Sequence, residues 1–243
     1  MDSAVLLILL AIFAVAVLCS SVGHGGASGY LAVMALLSIP PEQTRPSALV
    51  LNLFVASIAA CQFWRAGHFS WSVFWPFAVG SIPMAFIGGM IHLPTHIYKA
   101  VLGIVLLFAA FRLAWSFSKD VKVEPPKLWL ALLAGAVIGL LSGLVGVGGG
   151  IFLTPLLLLM NWSETKTAAG VSALFILVNS AAGLAGNYSQ VSLLPTEVWF
   201  WIVAAIIGGT IGSLLGAKRF ESLLLRRVLA SVLLMAAVKL IFV

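Results

Sequence analysis

The chain has 243 residues, of which 62% are apolar and 8% charged, with a mean hydropathy of +1.17. A soluble domain carries about 25% charged residues, so this composition excludes a water-facing surface and leaves most of the exterior to lipid. The formal charge of +6 reads as Lys and Arg gathered in the cytoplasmic loops of an inner-membrane protein, not as a nucleic-acid footprint.

Apolar segments fall at 4–22, 26–39, 46–64, 70–91, 97–117, 128–145, 150–160, 167–187, 197–216 and 222–243. The first follows Met1-Asp2-Ser3 with no positive n-region, so it reads as a retained span rather than a signal peptide. Cys19 and Cys61 both stand inside apolar runs, without CxxC or a His/Cys cluster, and are expected to act as small buried hydrophobes. Turn chemistry breaks the runs at Gly23-His24-Gly25-Gly26, Ile39-Pro40-Pro41-Glu42, Arg65-Ala66-Gly67-His68 and His92-Leu93-Pro94. The longest polar stretch, residues 118–127, carries charges and Pro125-Pro126. It divides the chain into a first transmembrane repeat, 1–117, a cytoplasmic linker, 118–127, and a second repeat, 128–243.

The two sides of that linker correspond. Gly23-His24-Gly25-Gly26-Ala27 resembles Gly146-Val147-Gly148-Gly149-Gly150, each between a full apolar segment and a short one. Glu42-Gln43-Thr44-Arg45 and Glu164-Thr165-Lys166 each open a segment, and Leu53-Phe54 matches Leu174-Phe175. Gly80 to Gly88 echoes Gly208 to Gly216, and Lys99 and Arg112 answer Arg227 and Lys239. Shared order points to a duplication. If all ten segments cross, one side receives Arg65, Arg112, Lys119, Lys122, Lys127, Lys166, Lys218, Arg219, Arg226 and Arg227, the other Arg45, Lys99 and Lys239. If segments two and seven are re-entrant, the alternative of eight spans as 4+4, that bias vanishes. The positive-inside rule therefore favours an all-α polytopic protein of two inverted repeats, about five transmembrane segments each, with both termini outside.

Segments two and seven are short: about 14 and 11 residues reach roughly 21 and 17 Å, against a hydrocarbon core of ~30 Å. Their outer ends are pinned by Pro40-Pro41-Glu42 and Asn161-Trp162-Ser163-Glu164, so their glycine-rich starts are expected inside the membrane, as broken helices. Bare backbone there must be covered by protein or line a cavity. A helix start offers unpaired N–H groups and roughly half a positive charge. Two such starts near the midplane make an anion site without a buried Lys or Arg. Candidate substrate-binding residues are His24, Gly25, Gly26 and Ser28 at the first turn, and Gly148, Gly149 and Gly150 at the second. Asn52, with Ser57 and Gln62, lies on segment three. Ser172 and Asn179, with Ser180, lie on segment eight. Buried amides must face protein or water. Arg45 and Lys166 are entrance or gating candidates that could steer anions. Gly80, Gly88, Gly208, Gly212 and Gly216 read as small-residue helix packing. Neither glycine run completes GxGxxG or is followed by GK[ST], which excludes a nucleotide turn.

With these motifs in view, the chain resembles the sulfite exporter TauE/SafE family of bacterial membrane permeases. The resemblance spans nearly the whole chain. It rests on the runs from Ser21 to Gly29 and from Gly143 to Pro155, supported by Arg45 to Asn52 and Val171 to Ser180. The second glycine run fits the family pattern closely; the first departs from it at His24 and Ser28-Gly29. The resemblance implies a secondary transporter, an exporter of small sulfur-containing anions such as sulfite or organosulfonates, with lipid and the anion as partners. No cofactor or metal is called for, and a homodimer is compatible with this reading. An intramembrane enzyme is disfavoured: no HExxH, GxSxG or paired intramembrane carboxylates occur, and the 7 Asp and Glu lie outside mid-span positions. An anion channel, or a permease for another small anion, is the alternative.

Overall fold

A computed structural model of the chain describes residues 3–21, 26–114, 123–218 and 223–242. Ten α-helices and one 3-10 segment make up the ordered elements among them: α1 (Ser3–Ser21), α2 (Ala27–Leu36), α3 (Pro41–Arg65), α4 (Trp71–Met90), α5 (Thr95–Ala114), α6 (Leu128–Val145), α7 (Gly150–Leu159), α8 (Thr165–Gly186), α9 (Val198–Lys218) and α10 (Leu223–Phe242), with the 3-10 turn Tyr188–Leu193 between α8 and α9. Every expected apolar segment contains one helix. The main shift is in α3, which begins at Pro41: proline suits the first helical position, where its missing N–H is no loss. That brings Glu42 to Arg45 into the first turns of the helix.

Five helices, α3, α4, α6, α8 and the Val198–Leu215 part of α9, are long and apolar enough to cross a membrane. Large apolar side chains such as Ile104, Trp129, Trp199 and Phe200 are exposed on the outer faces, as a lipid-solvated surface allows and a water-solvated one does not. Cys61 and Ser57 are corrections. They share an exposed α3 stripe with Phe54 and Trp64. Ser57 satisfies its hydroxyl on the Phe54 carbonyl at 2.8 Å, so it needs neither protein nor water. Cys19 is buried as expected.

Glycines set which helices touch and in which direction. A Cβ on Gly135, Gly139 or Gly143 of α6 would strike the carbonyls of Phe77, Ser81 and Ala85 in turn, so α4 and α6 run parallel in backbone contact. Gly208 and Gly212 of α9 meet Phe13 and Val17 of α1 in the same sense. Gly80 and Gly88 pack on α6 likewise, the small-residue packing anticipated for these positions. The α3 and α8 helices run antiparallel: Gly170 lies under the His68 carbonyl, Asn52 meets Ser180, and Gly183 lies near Leu49. A further pair joins α5 and α10, where Gly103 meets Ile241. One end of the bundle therefore gathers the C-terminal ends of α2, α4, α8 and α10 with the starts of α3, α5 and α9.

The two short helices are alike in detail. Each has 10 residues, or about 15 Å, and each follows a left-handed glycine, Gly26 (φ 107°, ψ −14°) or Gly149 (φ 82°, ψ −14°). Each also ends in a positive-φ residue, Ser38 or Asn161. The N–H of the following residue returns to the last turn, Ile39 to the Met34 carbonyl at 2.9 Å and Trp162 to the Leu157 carbonyl at 2.8 Å. This is the C-terminal closure that consumes orphan carbonyls. It trims α2 below the 14-residue segment read from hydropathy.

Candidate functional site

The second glycine turn is fully described. α6 stops at Gly146, whose left-handed backbone lies against Arg45. Gly148 (φ +77°) is wedged between α3 and α8: a Cβ there would stand 2.8 Å from Ile176 Cγ2 and 2.9 Å from both Asn52 Nδ2 and Ser180 Oγ. Gly149 lies against Phe175 and Ile138, and Gly150 against Ile176. Asn52 sits midway along α3, so the start of α7 lies deep between the ends of the long helices. The N–H groups of Gly148, Gly149, Gly150 and Ile151 make no hydrogen bond among the described residues; Phe152 and Leu153 are the first to bond, both to the Gly149 carbonyl. These are the orphan donors of a helix start, aimed into buried protein.

The side chains around them are polar and incompletely paired. Asn52 is fully buried; its Nδ2 donates to Ser180 Oγ at 3.3 Å, and its Oδ1 has no partner. Asn179, also fully buried, donates Nδ2 to the Phe175 carbonyl at 2.8 Å and leaves Oδ1 unpaired. Ser172 accepts from Thr154 Oγ1 at 2.8 Å, a contact that ties α7 to α8. Buried polar atoms without partners are rare in folded proteins, and Ser47 and Ser142 add two more hydroxyls of this kind. Ser180 is among the polar residues read from segment eight, whereas Thr154, which donates to Ser172, and the unpaired hydroxyls of Ser47 and Ser142 are not singled out by motif reading. The signal available for Ser142 was its place one helical turn before Gly146.

Of the first turn, Gly26 and Ser28 are described. Gly26 lies under the Tyr30 ring, where a Cβ would come within 2.5 Å of the phenol oxygen. Ser28 is 3% exposed in the first turn of α2. His24 and Gly25 lie outside the described residues. The structure brings Asn52, Gly148 and Ser180 into one contact, with Gly149, Gly150, Ser172 and Asn179 around it.

Arg45 and Lys166 part company. Lys166 is exposed at the start of α8. Arg45, expected at an entrance, is 3% exposed. Its NH2 group donates to the carbonyls of Gly88 (2.7 Å), Gly89 (2.8 Å) and Gly143 (2.6 Å), and NH1 to that of Ile91 (3.0 Å). The guanidinium thus caps the C-terminal ends of α4 and α6, where free carbonyls and the negative pole of each helix favour a cation. Among the described residues no group of three His, Cys, Asp or Glu could hold a metal ion.

Helices with apolar outer faces, five of them long and apolar enough to cross a membrane, together with the family and relatives that follow, make this a multi-pass membrane protein of the transporter class. It belongs to the sulfite exporter TauE/SafE family, whose pattern matches residues 8–240. Probable membrane transporter proteins are among its relatives. One from Sinorhizobium fredii is 38% identical over 100% of both chains. One from Bacillus subtilis is 28% identical over 97% of this chain and 98% of its own. A third, from Methanocaldococcus jannaschii, is 28% identical over 71% and 68%. No solved structure matches.

Proposed function

We propose that this protein is a secondary transporter of the inner membrane, exporting small sulfur-containing anions such as sulfite or organosulfonates. The substrate is held at the starts of α2 and α7, near the bilayer midplane. The observation that carries this reading is the α7 start itself: four consecutive N–H groups without partners, those of Gly148 to Ile151, the first two on left-handed glycines, beside Asn52 and Ser180 in the bundle interior. Such a site suits a negative oxygen cluster and needs no charged side chain.

Two inverted repeats are supported by the matching ends of α2 and α7 and by the way helix pairs exchange: α1 with α9 answers α6 with α4, while α3–α8 and α5–α10 pair across the halves. Ten crossings are supported by charge. Arg65, Arg112, Lys127, Lys166, Lys218, Arg226 and Arg227 stand on helix ends at one end of the bundle, and Arg45, Lys99 and Lys239 toward the other, which fits a cytoplasmic face with both termini opposite. Alternating access then rocks one half against the other across the α3–α8 contact. No nucleotide-binding motif stands in the sequence, so an ion gradient or the substrate's own gradient is the driving force in this reading.

The test is counterflow. Proteoliposomes preloaded with unlabelled sulfite should accumulate labelled sulfite saturably and faster than unloaded ones, and Gly149→Leu should abolish this while the protein still elutes as a folded particle. Flux linear in concentration without trans-stimulation would favour a channel, and no flux of sulfite or any sulfonate would refute the substrate class.

A further inference from the structure

At the opposite end of α2 from its glycine start lies a cavity of about 270 Å³, between the end of α2, the first turns of α3 and α5, and the last turn of α10. Lys99 and Lys239 both line it, and among the described residues no carboxylate does. Lys239 spends two donors on the Leu36 carbonyl (2.7 Å) and Ser38 Oγ (2.8 Å), which leaves one of its three N–H groups. Lys99 has no hydrogen-bond or ion-pair partner among the described residues. In a chain with 8% charged residues, two cations with no counter-ion among the described residues in one cavity are a marked concentration of positive charge. Leu102 and Leu240, on the same two helices as the lysines, add apolar lining.

We propose that this cavity is a second anion site, distinct from the glycine turns, for a ligand with an anionic oxygen head on an apolar stem. Lys99 and Lys239 hold the head, and Leu102 and Leu240 receive the stem. A soluble alkylsulfonate and an anionic phospholipid both offer that chemistry. Occupancy here bridges α2, α3, α5 and α10, and so bears on the mobility of α2.

The site is tested by binding, without flux, so its outcome is separate from that of the transport reading. Full-length protein in lipid-free detergent is titrated with methanesulfonate, hexanesulfonate and phosphatidylglycerol. Hexanesulfonate should bind saturably and more tightly than methanesulfonate. Lys99→Gln should weaken it about tenfold and Lys99→Arg should restore it. On the unaltered protein, hexanesulfonate should shield Lys99, but not exposed Lys166, from acetylation read by peptide mass. Competition by phosphatidylglycerol at lower concentration makes the occupant a lipid headgroup; sulfonate binding that the lipid does not displace makes it a soluble anion. No binding by any of the three, or binding and acetylation indifferent to Lys99, overturns the proposal.

Discussion

Asn52 on α3 and Ser180 on α8 meet across 3.3 Å, and the gap between their polar atoms is where a side chain on Gly148 would have to go. The pair joins the two halves of the chain at the point where α7 begins. A hydrogen bond this long contributes little to folding, about 1 kcal/mol or less, yet both residues are fully buried. Asn52→Ala should therefore lower anion transport at least about tenfold while shifting the unfolding midpoint by no more than about 4 °C. Parallel counterflow and thermal-unfolding measurements check this; a large loss of stability with a proportionate loss of flux would reduce Asn52 to interhelical glue.

Gly148 and Gly67 share a φ of +77° but differ in surroundings, since nothing stands within 4 Å of a Cβ on Gly67. The left-handed backbone alone costs an alanine about 1–2 kcal/mol, and overpacking adds about 1–3 kcal/mol. Gly67→Ala should show only the first cost and transport normally. Gly148→Ala should show both and lose transport. Equal destabilisation of the two would mean that the contacts at Gly148 are not tight.

How far the fold was legible follows from where its causes lie. Helix positions depend on local apolar runs and on proline and glycine breaks, and all ten were readable from those. The depth of the second glycine turn was readable too, because a short segment pinned at Asn161 has nowhere else to begin. What Arg45 does was not readable: the carbonyls of Gly88, Gly89, Ile91 and Gly143 converge only once α3, α4 and α6 have packed. A lone Arg at a segment start looks the same whether it faces water or a helix end. Ser57 failed for a related reason, since a serine can satisfy its hydroxyl on its own helix and face lipid.

Arg45 should be among the most costly residues to replace. Removing its charge strands four carbonyls and the ends of two helices, and Arg45→Gln is expected to cost about 3 kcal/mol or more. Arg45→Lys should recover only part, because an ammonium cannot reproduce the planar fork. Lys166→Gln, on an exposed side chain, should change stability by about 0.5 kcal/mol or less. Thermal unfolding of the three variants in one detergent ranks them; a tolerated Arg45→Gln with reduced anion uptake would return Arg45 to a steering role.

Glycine is not needed everywhere it occurs. Gly183 lies within α8, and the nearest atom to a Cβ there is the Gly143 Cα at 3.5 Å, an ordinary contact. Gly183→Ala should stabilise the protein by about 0.5–1 kcal/mol through lost backbone freedom in the unfolded chain. Gly139→Ala, one helix away, would drive its Cβ into the Ser81 carbonyl and should force α4 and α6 apart. Opposite signs for the two in a thermal-unfolding assay would separate packing glycines from dispensable ones.

The orientation in the membrane is decided by labelling. Thr196 is exposed just before α9 and Lys166 is exposed at the start of α8, and the antiparallel run of α8 against α3 carries these two positions to opposite ends of the bundle. With Cys19 and Cys61 replaced by serine, Thr196→Cys should react with a membrane-impermeant maleimide on intact cells, and Lys166→Cys only after permeabilisation. Lys166 shares its end with Arg65 and Lys127, and basic residues near span ends are retained in the cytoplasm. The reverse pattern would invert the whole chain and with it the assignment of the Lys99–Lys239 cavity to the outer face. Labelling of both positions from one side would break the ten-crossing count, because α8 would then fail to traverse the bilayer.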